Sequence, residues 1–82
     1  MEKKHKKTTI IVNAREKEWP RKDITYEQVI ELAFGEYVQN DNIEYTVTYS
    51  FPKNDKGGEL TVCESVKVKE KMVFNVSKTD KS

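Results

Sequence analysis

The residue types that most often carry acid–base or nucleophilic chemistry are scarce in this chain, which contains one histidine, His5, and one cysteine, Cys63. Nucleophilic catalysis needs a nucleophile within hydrogen-bonding reach of a base, which a third group usually orients. His5 lies in a lysine-rich stretch, whereas Cys63 lies in or beside a run of strand-forming residues, where a cysteine is usually a small buried hydrophobe. The sequence therefore predicts no catalytic pair, no enzymatic activity and no cofactor.

Metal and phosphate sites are also not indicated. One histidine and one cysteine cannot complete a tetrahedral zinc site without carboxylates, and the acidic residues here are dispersed singly. The pair Glu16 and Glu18 has the spacing of a solvent-exposed strand face. Gly57 and Gly58 suggest a phosphate-binding loop, but no lysine–serine or lysine–threonine pair follows them at the required spacing, so they predict a turn.

The charge and length of the chain limit its partners. Fifteen basic and 14 acidic side chains give a net charge of +1, which is too small to steer nucleic acid. Residues 1–7 hold the densest basic block, which we interpret as a disordered arm; binding of phosphate or an acidic partner is the alternative. No apolar run reaches the ~18 residues of a membrane span, and none resembles a signal peptide. We expect one small cytoplasmic domain that does not bind membranes.

One short helix is predicted, beginning after Thr25 and ending at Gly35. Thr25 and Gln28 have the spacing of a capping box, and Ile24 and Val29 that of a hydrophobic staple. Apolar residues at helical spacing define the face to be buried: Tyr26, Val29, Ile30, Ala33 and Phe34. Because about nine residues are too few for an isolated helix to be stable in water, this helix must pack against a sheet.

The remaining apolar patterns predict strands. They lie at residues 8–13, 17–19, 43–51, 59–63 and 72–77. Apolar and polar residues alternate strictly over 43–51, which is typical of a long strand with one buried face. Residues 52–58 have turn chemistry, and residues 64–71 predict an irregular turn or short strand held by two valines. One helix and about five strands favour an α+β roll in which the sheet curls around the helix.

The face of the predicted sheet opposite the helix carries four residues that we call the outer patch: Ile11, Thr46, Thr48 and Val73. If their strands are neighbours, the patch is a small apolar spot ringed by hydroxyl groups, which predicts a partner-binding surface. Singly exposed aliphatic residues are common, so an ordinary sheet surface is the alternative.

The chain after the arm resembles the ubiquitin-like β-grasp domains, and specifically the bacterial multiubiquitin domains. The likeness is carried by residues 10–13 with 15–17, 24–26, 32–36, 45–49, and 72–76 with Thr79. It implies a β-grasp roll over residues 8–77, a mixed sheet of four to five strands packed on one helix. The first and last strands would be parallel neighbours, which would bring Ile11 and Val73 together. The family favours glycine where this chain has Ala14 and Lys71, so we expect those turns to be remodelled or strained.

The resemblance also implies a function, that of a protein modifier in a bacterial ubiquitination-like pathway. Its partners would be an activating enzyme, a conjugating enzyme, a zinc metallopeptidase of the deubiquitinase type and protein targets. Attachment would follow ATP-dependent activation of the C-terminal carboxylate, on a flexible tail over residues 78–82. The residues of this conjugation tail are Thr79, Asp80, Lys81 and Ser82.

Two alternatives stay open. Ubiquitin ends in Gly-Gly, which leaves its carboxylate unhindered, whereas this chain ends in Asp80-Lys81-Ser82. Either the bacterial enzymes accept a bulkier terminus, or this chain is one repeat of a tandem protein, or it is not conjugated. The last case is a non-conjugated adaptor that binds a protein through its sheet face or by adding a strand at an open edge. A nucleic-acid binder using the lysine arm with Trp19 and the tyrosines is weaker, because the net charge argues against it.

Overall fold

The computed structural model describes residues 7–53 and 56–80. Its elements in chain order are β1 (Lys7–Val12), β2 (Arg15–Pro20), β3 (Asp23–Thr25), α1 (Tyr26–Phe34), β4 (Ile43–Phe51), β5 (Lys56–Leu60), β6 (Ser65–Lys67) and β7 (Met72–Asp80). Most of the predicted arm, residues 1–6, lies outside the described residues. Lys7, the last residue assigned to the arm, instead begins β1.

Five strands form one mixed sheet in the order β2-β1-β7-β4-β5. β1 and β7 run parallel to each other at its centre, and every other neighbouring pair in the sheet is antiparallel. β3 and β6 form a separate two-stranded sheet. The sequence patterns did not predict the strand β3. The single helix among the described residues packs on one face of the large sheet, so the predicted β-grasp fold class is confirmed.

The helix has the predicted ends. Thr25 Oγ1 accepts a hydrogen bond from the Gln28 N–H at 3.2 Å, and Gln28 Oε1 accepts one from the Thr25 N–H at 2.9 Å. Gly35 closes the helix with a φ of 86° and donates its N–H to the Glu31 carbonyl at 2.8 Å. Ile24, which was predicted to form the hydrophobic staple, is fully buried.

The core lies between α1 and the inner face of the large sheet. Its members alternate along the strands and recur along the helix: Ile10, Val12, Tyr26, Val29, Ile30, Tyr45, Val47, Met72, Phe74 and Val76. Phe34 was predicted to be buried with them, but it is 42% exposed. Phe34 is the last residue of α1, and its ring packs against the ring of Tyr45 with the two ring centroids 6.0 Å apart.

β5 begins earlier and ends earlier than the sequence predicted. Gly57 and Gly58 are strand residues that pair with Ser50 and Tyr49 of β4, so the turn assigned to them is wrong. A side chain at either position would crowd β4, most severely at Gly57. A Cβ atom on Gly57 would lie 2.2 Å from the Tyr49 carbonyl oxygen, and one on Gly58 would lie 2.9 Å from the Tyr49 hydroxyl.

Cys63 was predicted to be a small buried hydrophobic residue, but it is exposed. β5 ends at Leu60, whose side chain is the last of the strand to enter the core. The chain then turns toward β6, with the Glu64 N–H donating to the Thr61 carbonyl at 3.0 Å and Cys63 at a φ of 70°. Residues 64–71 contain the predicted short strand, β6, and Val68 beyond it is buried.

β7 runs three residues past the predicted boundary at Ser77. Lys78, Thr79 and Asp80 pair with Tyr45, Glu44 and Ile43. The reason is that β4 begins at Ile43 and so offers β7 a partner along its whole length. These three residues of the predicted flexible tail are therefore strand residues, and Lys81 and Ser82 lie outside the described part of the chain.

Candidate protein-binding face

The outer face of the large sheet, which points away from α1, holds the predicted outer patch. Ile11 on β1 is the direct partner of Val73 on β7 in the parallel ladder. Glu16 lies opposite Ile11 on β2, and Ser50 lies opposite Val73 on β4. One row across the sheet therefore contains two adjacent aliphatic side chains, both half-buried, between two exposed polar ones.

The two threonines of the outer patch lie on the same face but farther from its apolar centre. Thr48 pairs with Asn75 and Thr46 pairs with Ser77. Both threonines are exposed. Because a strand rises about 3.4 Å per residue, Thr48 lies about 7 Å along the sheet from the Val73 row and Thr46 about 14 Å from it. The structure therefore brings Ile11 and Val73 together and places the threonines along one side.

Further polar residues of this face were missed by the sequence reasoning. Ser50, Asn75 and Ser77 are exposed and share the outward-facing positions of β4 and β7. The period-two pattern of both strands contained this signal, but the register that joins their rows could not be read from either strand alone. With them, the face has an apolar centre and polar surroundings, a distribution that interfaces between proteins also have.

Both ends of the β1–β7 ladder are held by backbone hydrogen bonds, which fix the position of the patch. At one end the Lys71 N–H donates to the Thr9 carbonyl at 2.7 Å. At the other end the Asn13 N–H donates to the Phe74 carbonyl at 3.0 Å. Lys71 Nζ also lies 3.6 Å from Glu16 Oε2, but both side chains are more than half exposed, so this ion pair contributes little.

The side chain of Glu70, which precedes β7 by two residues, forms hydrogen bonds with β1. Its Oε1 accepts a hydrogen bond from the Thr8 hydroxyl and a longer one, 3.4 Å, from the Thr9 N–H. These hydrogen bonds lower the pKa of the Glu70 carboxyl, with smaller contributions from the charges of Lys71 and Arg21. Glu70 is therefore ionised at neutral pH and holds the start of β7 against β1.

The turn residues Ala14 and Lys71 have the strained backbone that the resemblance led us to expect. Ala14 has a φ of 69° and Lys71 a φ of 65°, both in the left-handed region that favours glycine. Asn13, the first residue of the two-residue turn before β2, also has a positive φ of 51°. Both turns therefore keep the left-handed backbone conformation that suits glycine. This conformation costs about 1–2 kcal/mol for a residue that has a Cβ atom.

The predicted conjugation tail is only partly described. Thr79 and Asp80 are exposed residues of β7, whereas Lys81 and Ser82 lie outside the described residues.

Over residues 7–53 and 56–80, no cluster of three or more histidine, cysteine or acidic side chains could hold a metal ion. In the same part of the chain, no helix has the length and apolar character needed to cross a membrane.

Comparison with known proteins gives one result that covers nearly the whole fold. A family model described as Multiubiquitin matches residues 8–80, from the second residue of β1 to the last residue of β7. No curated protein and no solved structure gives a significant match.

Proposed function

The chain belongs to the Multiubiquitin family, and on that premise we propose that it is a ubiquitin-like modifier of a bacterial, cytoplasmic ubiquitination-like pathway. Its body presents a recognition surface, the outer patch, and its C-terminal carboxylate is the group that becomes attached to protein targets. The catalytic groups belong to its partners, namely an activating enzyme, a conjugating enzyme and a metallopeptidase that reverses the attachment.

The observation that carries the recognition part of this proposal is the pairing of Ile11 with Val73 in the parallel β1–β7 ladder. Each side chain is half-buried, so a partner that covers both would remove apolar surface that the fold leaves in water. The polar residues around the pair, Ser50 and Thr48 among them, supply hydrogen-bonding groups for the rim of such an interface.

The attachment chemistry needs only a carboxylate from this chain. In the activation step, a Ser82 carboxylate oxygen attacks the α-phosphate of ATP, which forms an acyl adenylate and releases pyrophosphate. A thiolate or hydroxyl group of an enzyme then attacks the acyl carbon, and AMP leaves as the new thioester or oxyester forms. A target amine or other nucleophile finally displaces that enzyme group. Each transfer requires residues 79–82 to enter an active site in extended form.

Pyrophosphate exchange tests the activation step directly. The full chain is mixed with an activating enzyme encoded in the same gene neighbourhood, ATP and labelled pyrophosphate. We expect label to enter ATP only when the chain is present, and we expect conversion of the Ser82 carboxylate to an amide to abolish the exchange. Exchange that continues unchanged with the amidated chain would reject the carboxylate of Ser82 as the reacting group.

A non-conjugated adaptor of the same fold is the second candidate, and the pairing of residues 78–80 with β4 favours it. These residues would have to leave the sheet before an enzyme could bind them as a free tail. An adaptor would lose partner binding on Ile11→Asp substitution and keep it after removal of Lys81 and Ser82. A modifier would lose covalent attachment in both variants.

A further inference from the structure

A basic cavity of about 420 Å³ lies at the end of the large sheet opposite to the end at which β7 finishes. β1 and β7 begin at this end, while β2 and β4 finish there. Four cationic side chains line the cavity: Arg21, Lys53, Lys56 and Lys69. Arg21, Lys53 and Lys69 come from the connections between β2 and β3, β4 and β5, and β6 and β7, and Lys56 is the first residue of β5, so the fold brings together charges that are distant in the sequence.

Among the described lining residues, one carboxylate, that of Glu70, offsets part of this charge. Its Oε1 accepts hydrogen bonds from the Thr8 hydroxyl and the Thr9 N–H of β1, and its charge also interacts with that of Arg21. Among the described residues, no carboxylate lies within ion-pair distance of Arg21, Lys53 or Lys69. Lys56 has an interaction of its own, so we assign the anion to the other three cations, Arg21, Lys53 and Lys69.

The cavity also has an apolar wall. Phe51, the half-buried last residue of β4, and Pro52 after it complete the lining. Like charges gathered in a concave site with a low-dielectric wall repel one another and raise the local positive potential. An anion with several oxygen acceptors relieves this repulsion, and an organic group attached to it can pack on the wall.

We propose that this cavity binds a phosphate monoester carried on a side chain of a protein partner. A phosphate monoester has a charge of about −1.5 to −2 at pH 7 and three terminal oxygens, which suits the fork of Arg21 and the ammonium groups of Lys53 and Lys69. The carrier side chain lies against Phe51 and Pro52. The site contains no residue of the outer patch or of the conjugation tail, so it does not depend on the proposed modifier function.

Amide NMR titration of the isotopically labelled full chain tests this proposal. The probe is a short peptide with one phosphoserine, and the comparison ligands are the same peptide with serine and inorganic phosphate. We expect the phosphopeptide to shift the resonances of Arg21, Phe51, Lys53 and Lys69 and the serine peptide to leave them in place. Affinity should fall as salt concentration rises, because exposed charges are screened.

Substitutions separate the cavity from general positive charge. Arg21→Gln should weaken phosphopeptide binding about tenfold or more, since hydrogen bonds to a charged group are lost. Arg15→Gln makes the same change in charge at the other end of the sheet, beside the β1–β2 turn, and should leave the affinity within about twofold. Thermal unfolding of both variants checks that the fold is retained.

Three outcomes would overturn the proposal. The first is the absence of shifts at the cavity residues, or equal shifts with the serine peptide. The second is an equal loss of affinity in Arg21→Gln and Arg15→Gln. The third is an affinity for inorganic phosphate as high as that for the phosphopeptide, which would assign the cavity to a free anion and reject a carrier side chain on Phe51.

Discussion

The side-chain amide of Asn13 pairs with the backbone of Val76 as if it were the next residue of β1. Its Nδ2 donates to the Val76 carbonyl at 3.1 Å, and its Oδ1 accepts from the Val76 N–H at 2.8 Å. β1 itself ends at Val12, so this amide extends the parallel ladder by one step while the backbone turns into the hairpin. Asn13 thus combines a positive φ with the side chain that closes the ladder.

Asn13→Ala should therefore destabilise the fold by about 1–3 kcal/mol, because it removes both hydrogen bonds and leaves the backbone groups of Val76 without these partners. Urea unfolding followed by circular dichroism measures the change. Asn75→Ala is the matched control, since Asn75 is an exposed residue of the same strand and faces the outer side of the sheet. Equal losses in the two variants would contradict a specific role for Asn13.

Ala14→Gly should stabilise the protein by about 0.5–1 kcal/mol. Glycine relieves the positive φ of 69°, and this gain exceeds the extra unfolded-state entropy that glycine brings. Ala33→Gly makes the same chemical change inside α1 and should instead destabilise by about 1 kcal/mol. Urea midpoints that move in the same direction for both variants would show that the Ala14 turn carries no strain.

Thr8→Val should raise the pKa of the Glu70 carboxyl toward its ordinary value, because the hydrogen bond from the Thr8 hydroxyl is the main cause of its depression. A carboxyl with a lowered folded-state pKa stabilises the fold above its unfolded pKa of about 4.3, and this stabilisation is lost as pH falls through the folded pKa. Part of the loss of stability below about pH 5 should therefore disappear in Thr8→Val.

The measurements are a carbon-detected NMR titration of Glu70 and urea unfolding between about pH 3 and pH 6. Thr48→Val, on the outer face and without a hydrogen bond to Glu70, is the control and should leave the titration of Glu70 in place. If the titration of Glu70 is the same in Thr8→Val as in the wild type, the hydrogen bond from Thr8 is not the cause of the lowered pKa of Glu70.

Gly57→Ala should destabilise the protein more than Gly58→Ala. The new methyl group at Gly57 would meet the backbone carbonyl of Tyr49, which cannot move without breaking the β4–β5 pairing, whereas at Gly58 it would meet the mobile end of the Tyr49 ring. Overpacking of this kind costs about 1–3 kcal/mol, and we expect Gly57→Ala at or above the top of that range. Urea unfolding of the two variants tests the order, and the reverse order would contradict it.

Local signals explain why some elements could be predicted closely from the sequence. The cap of α1 depends on Thr25 and Gln28, which are three residues apart, and Gly35 ends the helix by its own conformational preference. β4 shows strict alternation over all of its nine residues, so the predicted and observed bounds agree. In both cases the residues that decide the structure lie within a few positions of one another.

The remaining differences depend on contacts between distant parts of the chain. β5 includes Gly57 and Gly58 because β4 lies beside them, and β7 reaches Asp80 because β4 begins at Ile43. Neither partner is visible in the local pattern. The pairing of Ile11 with Val73 was expected only from the resemblance to β-grasp domains, since periodicity does not determine strand order.

The basic cavity shows the same limit for a proposed binding site. Arg21 and Lys69 lie in different loops and have no pattern in common, so their charges could be counted from the sequence but their convergence could not be predicted. The outer patch could be predicted because each of its members follows the period-two pattern of its strand. The distance from Val73 to Thr46 could not be predicted, because it depends on the register between β4 and β7.

The most direct test of the central claim measures how pyrophosphate exchange by the activating enzyme depends on the concentration of this chain. We predict that Ile11→Asp raises the KM for the chain about tenfold or more with little change in kcat, because the charge disrupts the apolar centre that the enzyme covers. Gln39→Glu adds the same charge in the connection between α1 and β4 and should leave the KM within about twofold. An equal KM for wild type and Ile11→Asp would contradict recognition through the Ile11 and Val73 pair.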